Sequence, residues 1–522
     1  MHGPLTVSRG LRFAMLGLLF GGCASLPDNG AQYVSYALQD TATTALGQKS
    51  QAVLQGFPGD NGFLPLKSGV DALLARIVLA DAAQRSLDVQ YYIWHDDLTG
   101  RIFAHALLRA ADRGVRIRVL LDDVGARAND ETLLAIEAHP NIEVRLFNPL
   151  ASRSLRGLGM LTDFSRVNRR MHNKAFVADN QAAILGGRNI GDEYFDASSD
   201  VAFDDLDVLT LGPVVDAVSR SFDQYWNAPS SYPVASLLGR SADSTSLARL
   251  RADLAAFIEA NRDSPYVTQT GKRFVEAWTS GHPNFFRGAA TLLYDDPAKI
   301  GRAPDVTEGH LLPQFSGISA QIQQELLIVS PYFIPGKAGV AWLNGLVKRG
   351  IRVTVLTNSL AATDVGAVHS GYQRYREALL EGGVAIYELK PGAVQPAHAE
   401  KKAKAFGASR ASLHAKSFVF DRRAVFIGSL NLDPRSIQLN TEIGVVCESP
   451  PLAEEIAGTI ERNFDSIAWR LERVVDASGH AHIEWVEAGA AGERRYLGEP
   501  EVGAMRRFSV WLLGLLPIES QL

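Results

Sequence analysis

Cysteine is scarce in this chain: two in 522 residues, Cys23 and Cys447. Two thiols build no disulfide framework, so the fold has to be held by its core. With 46% hydrophobic and 21% charged residues, the chain has ample material for one. Metal-ligand motifs are missing too: there is no H-E-x-x-H and no Cys-x-x-Cys. No G-x-S-x-G occurs, which removes the usual setting of a serine nucleophile. A net charge of -5 denies the chain the broad basic field that nucleic-acid binding uses, although a local positive groove needs only a few residues. Two apolar runs stand out, "FAMLGLLFGG" (13–22) and "FSVWLLGLLPI" (508–518), and both are too short to span a bilayer comfortably.

What is present is a repeat. "MHNKAFVADNQAAILGGRNIG" (171–191) and "LHAKSFVFDRRAVFIGSLNLD" (413–433) share the pattern H-x-K-x4-D-x6-G-[GS]-x-N. The two histidines, His172 and His414, stand 242 residues apart, and chance repetition of six fixed positions is negligible. The similarity extends upstream and downstream, as an internal duplication requires. "LLRAADRGVRIRVLLDD" (107–123) parallels "WLNGLVKRGIRVTVLTN" (342–358), a helix, an Arg-Gly turn and a strand. "FDDLDVLTLGP" (203–213) parallels "LNTEIGVVCESP" (439–450), aligning Asp205 with Glu442. Alternating strands and helices before each histidine strand predict a layered α/β architecture with a largely parallel sheet.

Histidine and lysine two apart on an extended chain leave the same face. A pseudo-twofold between the halves would bring both pairs to one cleft. That cleft would hold two imidazoles, two ammonium groups and two asparagine amides, a donor set suited to phosphate. A lysine beside each histidine disfavours a metal ion by like-charge repulsion, so no metal and no cofactor is expected. One neutral histidine would attack phosphorus and the other would protonate the leaving alcohol. Lys174, Lys416, Asn189 and Asn431 would hold the nonbridging oxygens, and Asp205 and Glu442 would fix the histidine tautomers.

The doubled motif is that of the phospholipase D superfamily, which the chain resembles from about residue 65 to 470. Within it, "SLDVQYYIWHDDLTG", "VHSGYQRYREALLEGGVAIYELKP" and "RFSVWLLGLLPIESQL" resemble the bacterial cardiolipin synthases of the C type. The resemblance implies two α/β sandwich halves related by a pseudo-twofold, with the active site between them. It implies a phosphatidyltransferase acting on phosphatidylglycerol, with phosphatidylethanolamine as a further lipid substrate, at a membrane surface and without nucleic acid. Hydrolysis of phospholipids to phosphatidic acid is the alternative, and a nuclease on the same fold the more remote one. A monomer with an internal pseudo-dimer is expected. Carried over by position, His172 and His414 are catalytic with Lys174 and Lys416, and His172 is the nucleophile. Asn189, Asn431 and Ser429 fall on the phosphate side, and Asp205 and Glu442 orient the histidines. Asp179 and Asp421 complete the motif near a turn, where a structural role is expected; Asp122 and Asp123 are read as strand terminators. Tyr92, Tyr332 and Phe333 occupy matching strand ends, as core or as substrate contacts.

The ends read differently from the body. Arg9 and Arg12 precede the first apolar run, which ends at Cys23-Ala24-Ser25 and resembles a bacterial lipoprotein signal with Cys23 as the lipidated residue. Export to a membrane facing the periplasm follows from that reading. The expected organisation is a signal over 1–22, a tether over 23–64, a first half over 65–228 and a connecting segment over 229–305. A second half over 306–470 and a C-terminal segment with an apolar helix over 471–522 complete it. That last helix, behind Arg506 and Arg507, suits either the core or a membrane interface.

Overall fold

The computed structural model describes residues 26–29, 32–126, 129–153, 163–198, 201–241, 243–264, 266–267, 284–392, 410–489 and 492–522. The signal segment and Cys23 lie outside the described residues.

The first half contributes β1 (Asn61–Leu66), β2 (Ser86–Tyr91), β3 (Arg116–Asp122), β4 (Ile142–Phe147), β5 (Ala175–Ala178), β6 (Ala182–Gly186), β7 (Val201–Asp204), β8 (Asp207–Leu211) and β9 (Ser231–Pro233). After β10 (Phe286–Tyr294) come β11 (Glu325–Val329), β12 (Arg352–Asn358), β13 (Ala385–Leu389), β14 (Arg410–Leu413), β15 (Ser417–Phe420), β16 (Ala424–Gly428) and β17 (Ile443–Glu448). The hairpin β18 (Ala468–Val475) and β19 (Ala481–Glu487), with β20 (Arg494–Tyr496), closes the edge. Among the described residues, eighteen strands form one sheet. Its spatial order is β9-β4-β3-β2-β5-β6-β8-β1 and then β10-β17-β16-β15-β11-β12-β13-β18-β19-β20. Read outward from the β1–β10 junction, the two runs repeat each other, so the duplication seen in the sequence is a duplication of sheet topology. The junction strand β10 comes from the segment read as a connector.

The sheet is mixed rather than largely parallel. β2, β3 and β4 run parallel, as do β11, β12 and β13, but the histidine strands β5 and β15 are antiparallel to their neighbours on both sides. The reason is local: each is joined to the next strand by three residues, and a connection that short can only reverse the chain. The helix–Gly–strand pattern is placed as expected. The helices Leu98–Asp112 and Gly336–Lys348 end at Gly114 (φ 91°) and Gly350 (φ 86°), left-handed positions that glycine takes without steric cost.

Alternation along the histidine strands explains their unbroken apolar sequence. Phe176 and Ala178 pack outward with Leu87, Phe103 and Leu107, whereas Ala175 and Val177 enter a cluster shared with the other half. Val419, Val425 and Ile427 enter that same cluster from the second half, while Phe418, Phe420 and Phe426 pack outward. Both faces are buried, so no polar alternation is left for the sequence to display. The helices Val214–Trp226 and Pro450–Ile467 add Val215, Val218, Leu452 and Ile456 to the shared layer. Cys447 is buried there as an apolar side chain.

The motif aspartates sit at the far end of the hairpins from the histidines, five residues or roughly 16 Å beyond each lysine. Asp179 adopts φ 51° and its carboxylate accepts from the backbone N–H groups of Gln84, Arg85 and Ser86. Asp421 repeats this with Gln323, Gln324 and Glu325. Both therefore pin the entry of the adjacent central strand. Asp122 and Asp123 take a comparable job at the end of β3, accepting from Gly125, Met171 and Arg170 and from Leu150 respectively.

The C-terminal helix Ala504–Gly514 meets neither expectation in full. Val510 is buried against Gly366, but Met505, Phe508, Trp511, Leu512, Leu515 and Leu516 are exposed. Arg506 and Arg507 donate to the carbonyls of Thr363 and Glu499. No helix among the described residues is long and apolar enough to cross a membrane.

Replacing Asp179 with alanine is expected to lower stability by about 2 kcal/mol or more, because three backbone donors lose a charged acceptor. Asp179→Asn, which keeps one acceptor oxygen and tolerates the left-handed turn, should lose less. Urea unfolding reads both, and turnover per folded molecule should stay within about twofold of the parent.

Candidate active site

Each histidine is held by backbone pairing with the opposite half. His172 lies just before β5, and its N–H donates to the carbonyl of Thr441 at 2.9 Å, while Thr441 N–H donates back to Arg170 O. His414 lies between β14 and β15, and its N–H donates to Asp204 O at 2.8 Å; β14 itself pairs in parallel with β7. Thr441 precedes Glu442 and Asp204 precedes Asp205. The two backbone clamps therefore deliver each half's carboxylate to the other half's ring. His172 Nδ1 lies 2.8 Å from Glu442 Oε2, and His414 Nδ1 lies 2.6 Å from Asp205 Oδ2. With the Nδ1 proton donated to carboxylate, the lone pair of each neutral ring sits on Nε2.

Lys174 and Lys416 are buried beside these rings, and each folds back on its own histidine. Lys174 Nζ donates to His172 O at 2.6 Å; Lys416 Nζ contacts His414 Nδ1 at 3.0 Å and donates to His414 O. Asn189 Oδ1 accepts from Ile93 N–H, and Asn431 Nδ2 lies 3.4 Å from Ser436 Oγ. Ser429, read as a phosphate contact, is used otherwise. Its hydroxyl donates to Glu442 Oε2 and accepts from Ile443 N–H, so it braces the carboxylate. In the first half that place has no room for a hydroxyl: a Cβ on Gly187 would lie 2.1 Å from Asp205 Oδ1. Asp179 and Asp421 do not join the cluster.

The strand-end Tyr92 joins the site, together with residues that carried no signal in the repeat. Tyr92 packs edge-on against His172 with centroids 5.3 Å apart, and Tyr194 does the same to His414 at 5.3 Å. Tyr194 has no duplicate, since Ser436 stands at its equivalent. Asp295, at the end of β10, accepts the Glu442 N–H at 2.8 Å and is paired with the buried Lys299 at 3.0 Å. Arg188, inside the motif at a variable position, bonds the carbonyls of Leu66, Lys67 and Tyr194 and so ties the loop to β1. Of the other strand-end aromatics, Tyr332 donates to Asp364 at 2.8 Å and Phe333 is core. Among the described residues, metal-ligand types gather in one group, His95, Asp97 and Glu193, none of them a motif residue. The chain's one H-x-H pair, His480 and His482, sits at the β18–β19 hairpin, where His482 meets Glu484.

The electrostatics of the two pairs differ. Burial, with Lys174 and Lys416 adding repulsion, holds His172 well below the ordinary imidazole range. Burial and Lys416 bring His414 down to about 4 against the pull of Asp205. Both rings are neutral at pH 7. Burial lowers Lys174 to about 7 and Lys416 to about 8. It raises Glu442 to about 7, opposed by Lys174 and the Ser429 hydroxyl. Burial also works against the charge on Asp205, yet His414, Lys416 and Arg188 outweigh it and keep this carboxylate ionised. Two lysines that shed protons near neutrality mark a site built around an anion that is not protein.

The sequence of each half matches the family described as "Cardiolipin synthase, PLD-like domain", over residues 77–226 and 318–468. The chain belongs to the phospholipase D superfamily. Cardiolipin synthase C of Escherichia coli (strain K12) is 43% identical over 468 residues, covering 88% of this chain and 96% of that protein. An uncharacterized protein of Helicobacter pylori (strain ATCC 700392 / 26695) is 34% identical over 464 residues, 87% of this chain and 89% of that one. Among solved structures, the phosphatidylserine synthase of Haemophilus influenzae Rd KW20 superimposes with a TM-score of 0.55 at 15% identity, covering 89% of this chain and 96% of its own. At that identity the likeness is one of fold, and it spans both phospholipase D-like halves.

These groups set opposite pH limbs on kcat/KM. Below about 7, Glu442 takes a proton and no longer accepts from His172 Nδ1, so activity falls toward acid. Above about 7 to 8, Lys174 and Lys416 lose their charge, so activity is expected to fall toward alkali. A bell centred near neutrality is expected. Glu442→Gln should abolish the acid limb near 7, and Lys174→Arg should move the alkaline limb upward toward that of Lys416, near 8; a profile unchanged by both would refute the assignment.

Proposed function

We propose that this chain is a phosphatidyltransferase of the cardiolipin synthase type, working through a phosphohistidine. The observation that carries the reading is the 43% identity to cardiolipin synthase C along almost the full length of both chains, with both H-x-K motifs intact. The geometry supplies the chemistry. His172 Nε2 attacks the phosphorus of a phospholipid and forms a P–N bond as the P–O bond to the headgroup breaks. His414, held by Asp205, gives its Nε2 proton to the departing alcohol oxygen. The negative phosphodiester offsets the two lysines, which restores the proton affinity that burial had taken from His414. In the second step the free hydroxyl of a phosphatidylglycerol returns its proton to His414 and attacks phosphorus, releasing His172 and giving cardiolipin. Lys174, Lys416, Asn189 and Asn431 bear on the nonbridging oxygens.

The pair with the ionised carboxylate, His414–Asp205, suits the acid and base, because that carboxylate stabilises the imidazolium formed there. The pair with the raised carboxylate, His172–Glu442, suits the nucleophile. Phosphatidylglycerol as acceptor, with phosphatidylethanolamine as a second donor, belongs to the same reading, as do action as a monomer and attachment to a membrane through Cys23. The exposed apolar side of the helix Ala504–Gly514 supports contact with a lipid surface.

Purified chain incubated with phosphatidylglycerol vesicles should yield cardiolipin and glycerol, read by mass spectrometry, and EDTA should leave the rate unchanged. His172→Ala and His414→Ala should each lose far more than the roughly 10²–10⁴-fold of acid–base assistance alone, and the double variant should be no worse. Phosphatidic acid as the sole lipid product would favour the hydrolase, and degradation of DNA the nuclease.

A further inference from the structure

The stretch that follows Asn431 has two faces. Asn431 and Ser436 contact each other on the side of the histidines, and Asp433 acts on Lys416 from the same side. Leu432, Pro434 and Ile437 line a cavity of about 690 Å³ on the other. The helices Leu311–Ser319 and Gly336–Lys348 form its walls, with Phe315, Trp342 and Leu343 among the lining. Its volume falls in the range of roughly 300–1,000 Å³ typical of ligand sites. Its charged lining residues are Lys337 and Glu519, and Glu519 is already paired with Arg374. Nothing in such a wall recognises an ionic headgroup; hydrocarbon fits it. The lining includes Glu519 and Ser520, from the tail that follows the exposed Phe508, Trp511, Leu512, Leu515 and Leu516. The cavity thus lies between that tail and Leu432, one residue from a motif asparagine.

We propose that this cavity takes one acyl chain of the phospholipid substrate and thereby places its phosphate against the histidine pair. The proposal rests on the phosphatidyltransferase reading and adds a subsite to it. Chain length becomes a determinant of kcat/KM, since each buried methylene lowers the energy of the bound lipid relative to water. Vesicles hide this effect, because the chain starts in hydrocarbon, so the test uses monomeric lipid.

The substrates are single-chain phosphatidylglycerols from butanoyl to decanoyl, below their aggregation concentration, with the full chain as enzyme. In the parent, kcat/KM should rise by roughly threefold to fourfold per methylene until the cavity is full. Ala338→Trp and Leu312→Trp, on two different walls, should flatten that rise and leave butanoyl turnover within about twofold. A decanoyl lipid with a terminal diazirine should crosslink the unmodified chain at Phe315, Trp342 or Ile437. A chain-length slope that persists in both folded variants, or crosslinks confined to peptides outside the cavity, would overturn the proposal. Absence of turnover with every lipid, and with a soluble phosphodiester, would instead sink the transferase reading, and the crosslink would still decide the cavity.

Discussion

Two hydrogen bonds cross the boundary between the halves, His172 to Glu442 and His414 to Asp205, and the rest of the site depends on them. A carboxylate in an apolar interior is costly unless paired, and an imidazole without its partner keeps neither tautomer nor direction. Either half alone would bury one carboxylate and one ring without mates. The crossing therefore makes the interface between halves a requirement of the chemistry, and it is delivered by backbone: the clamps at Thr441 and Asp204 set the register that brings each carboxylate to the opposite ring. The shared apolar layer beneath, with Val177, Val419 and Ile427, holds that register in place.

Duplication gave a near-symmetric frame, and small differences break the symmetry. Aspartate stands against Gly187 on one side and is kept ionised by His414, Lys416 and Arg188; glutamate stands against Ser429 on the other and is raised by burial. Tyr194 covers His414, whereas its equivalent, Ser436, contacts Asn431. Asp295 holds the backbone of Glu442 from the end of β10, the strand of the second run that joins it to the first. Two histidines with equal motifs thereby face carboxylates of different proton affinity, which distinguishes the two rings.

Much of this was legible in the sequence because the repeat carries chemistry at fixed spacing. His172, Lys174, His414 and Lys416 come together because period-two alternation and one twofold suffice to place them. The aligned pair Asp205 and Glu442 was visible as well, but its crossing was not: half-against-half alignment fits a partner in the same half equally well, and only backbone register decides. The hairpins that make the sheet mixed were masked by buried strands with no polar alternation. Tyr194 and Asp295 have no duplicate, so a search by repetition passes over them. Ser429 looked like a phosphate ligand from its place beside a glycine, and its bond to Glu442 depends on a strand thirteen residues on.

The crossing is tested most directly by nitrogen NMR of histidine-labelled protein, with ring signals assigned through the single histidine variants. Asp205→Asn should shift the ring nitrogens of His414, in the other half, and leave those of His172 nearly in place; Glu442→Gln should do the reverse. Shifts confined to the histidine of the same half as the altered carboxylate would contradict the account.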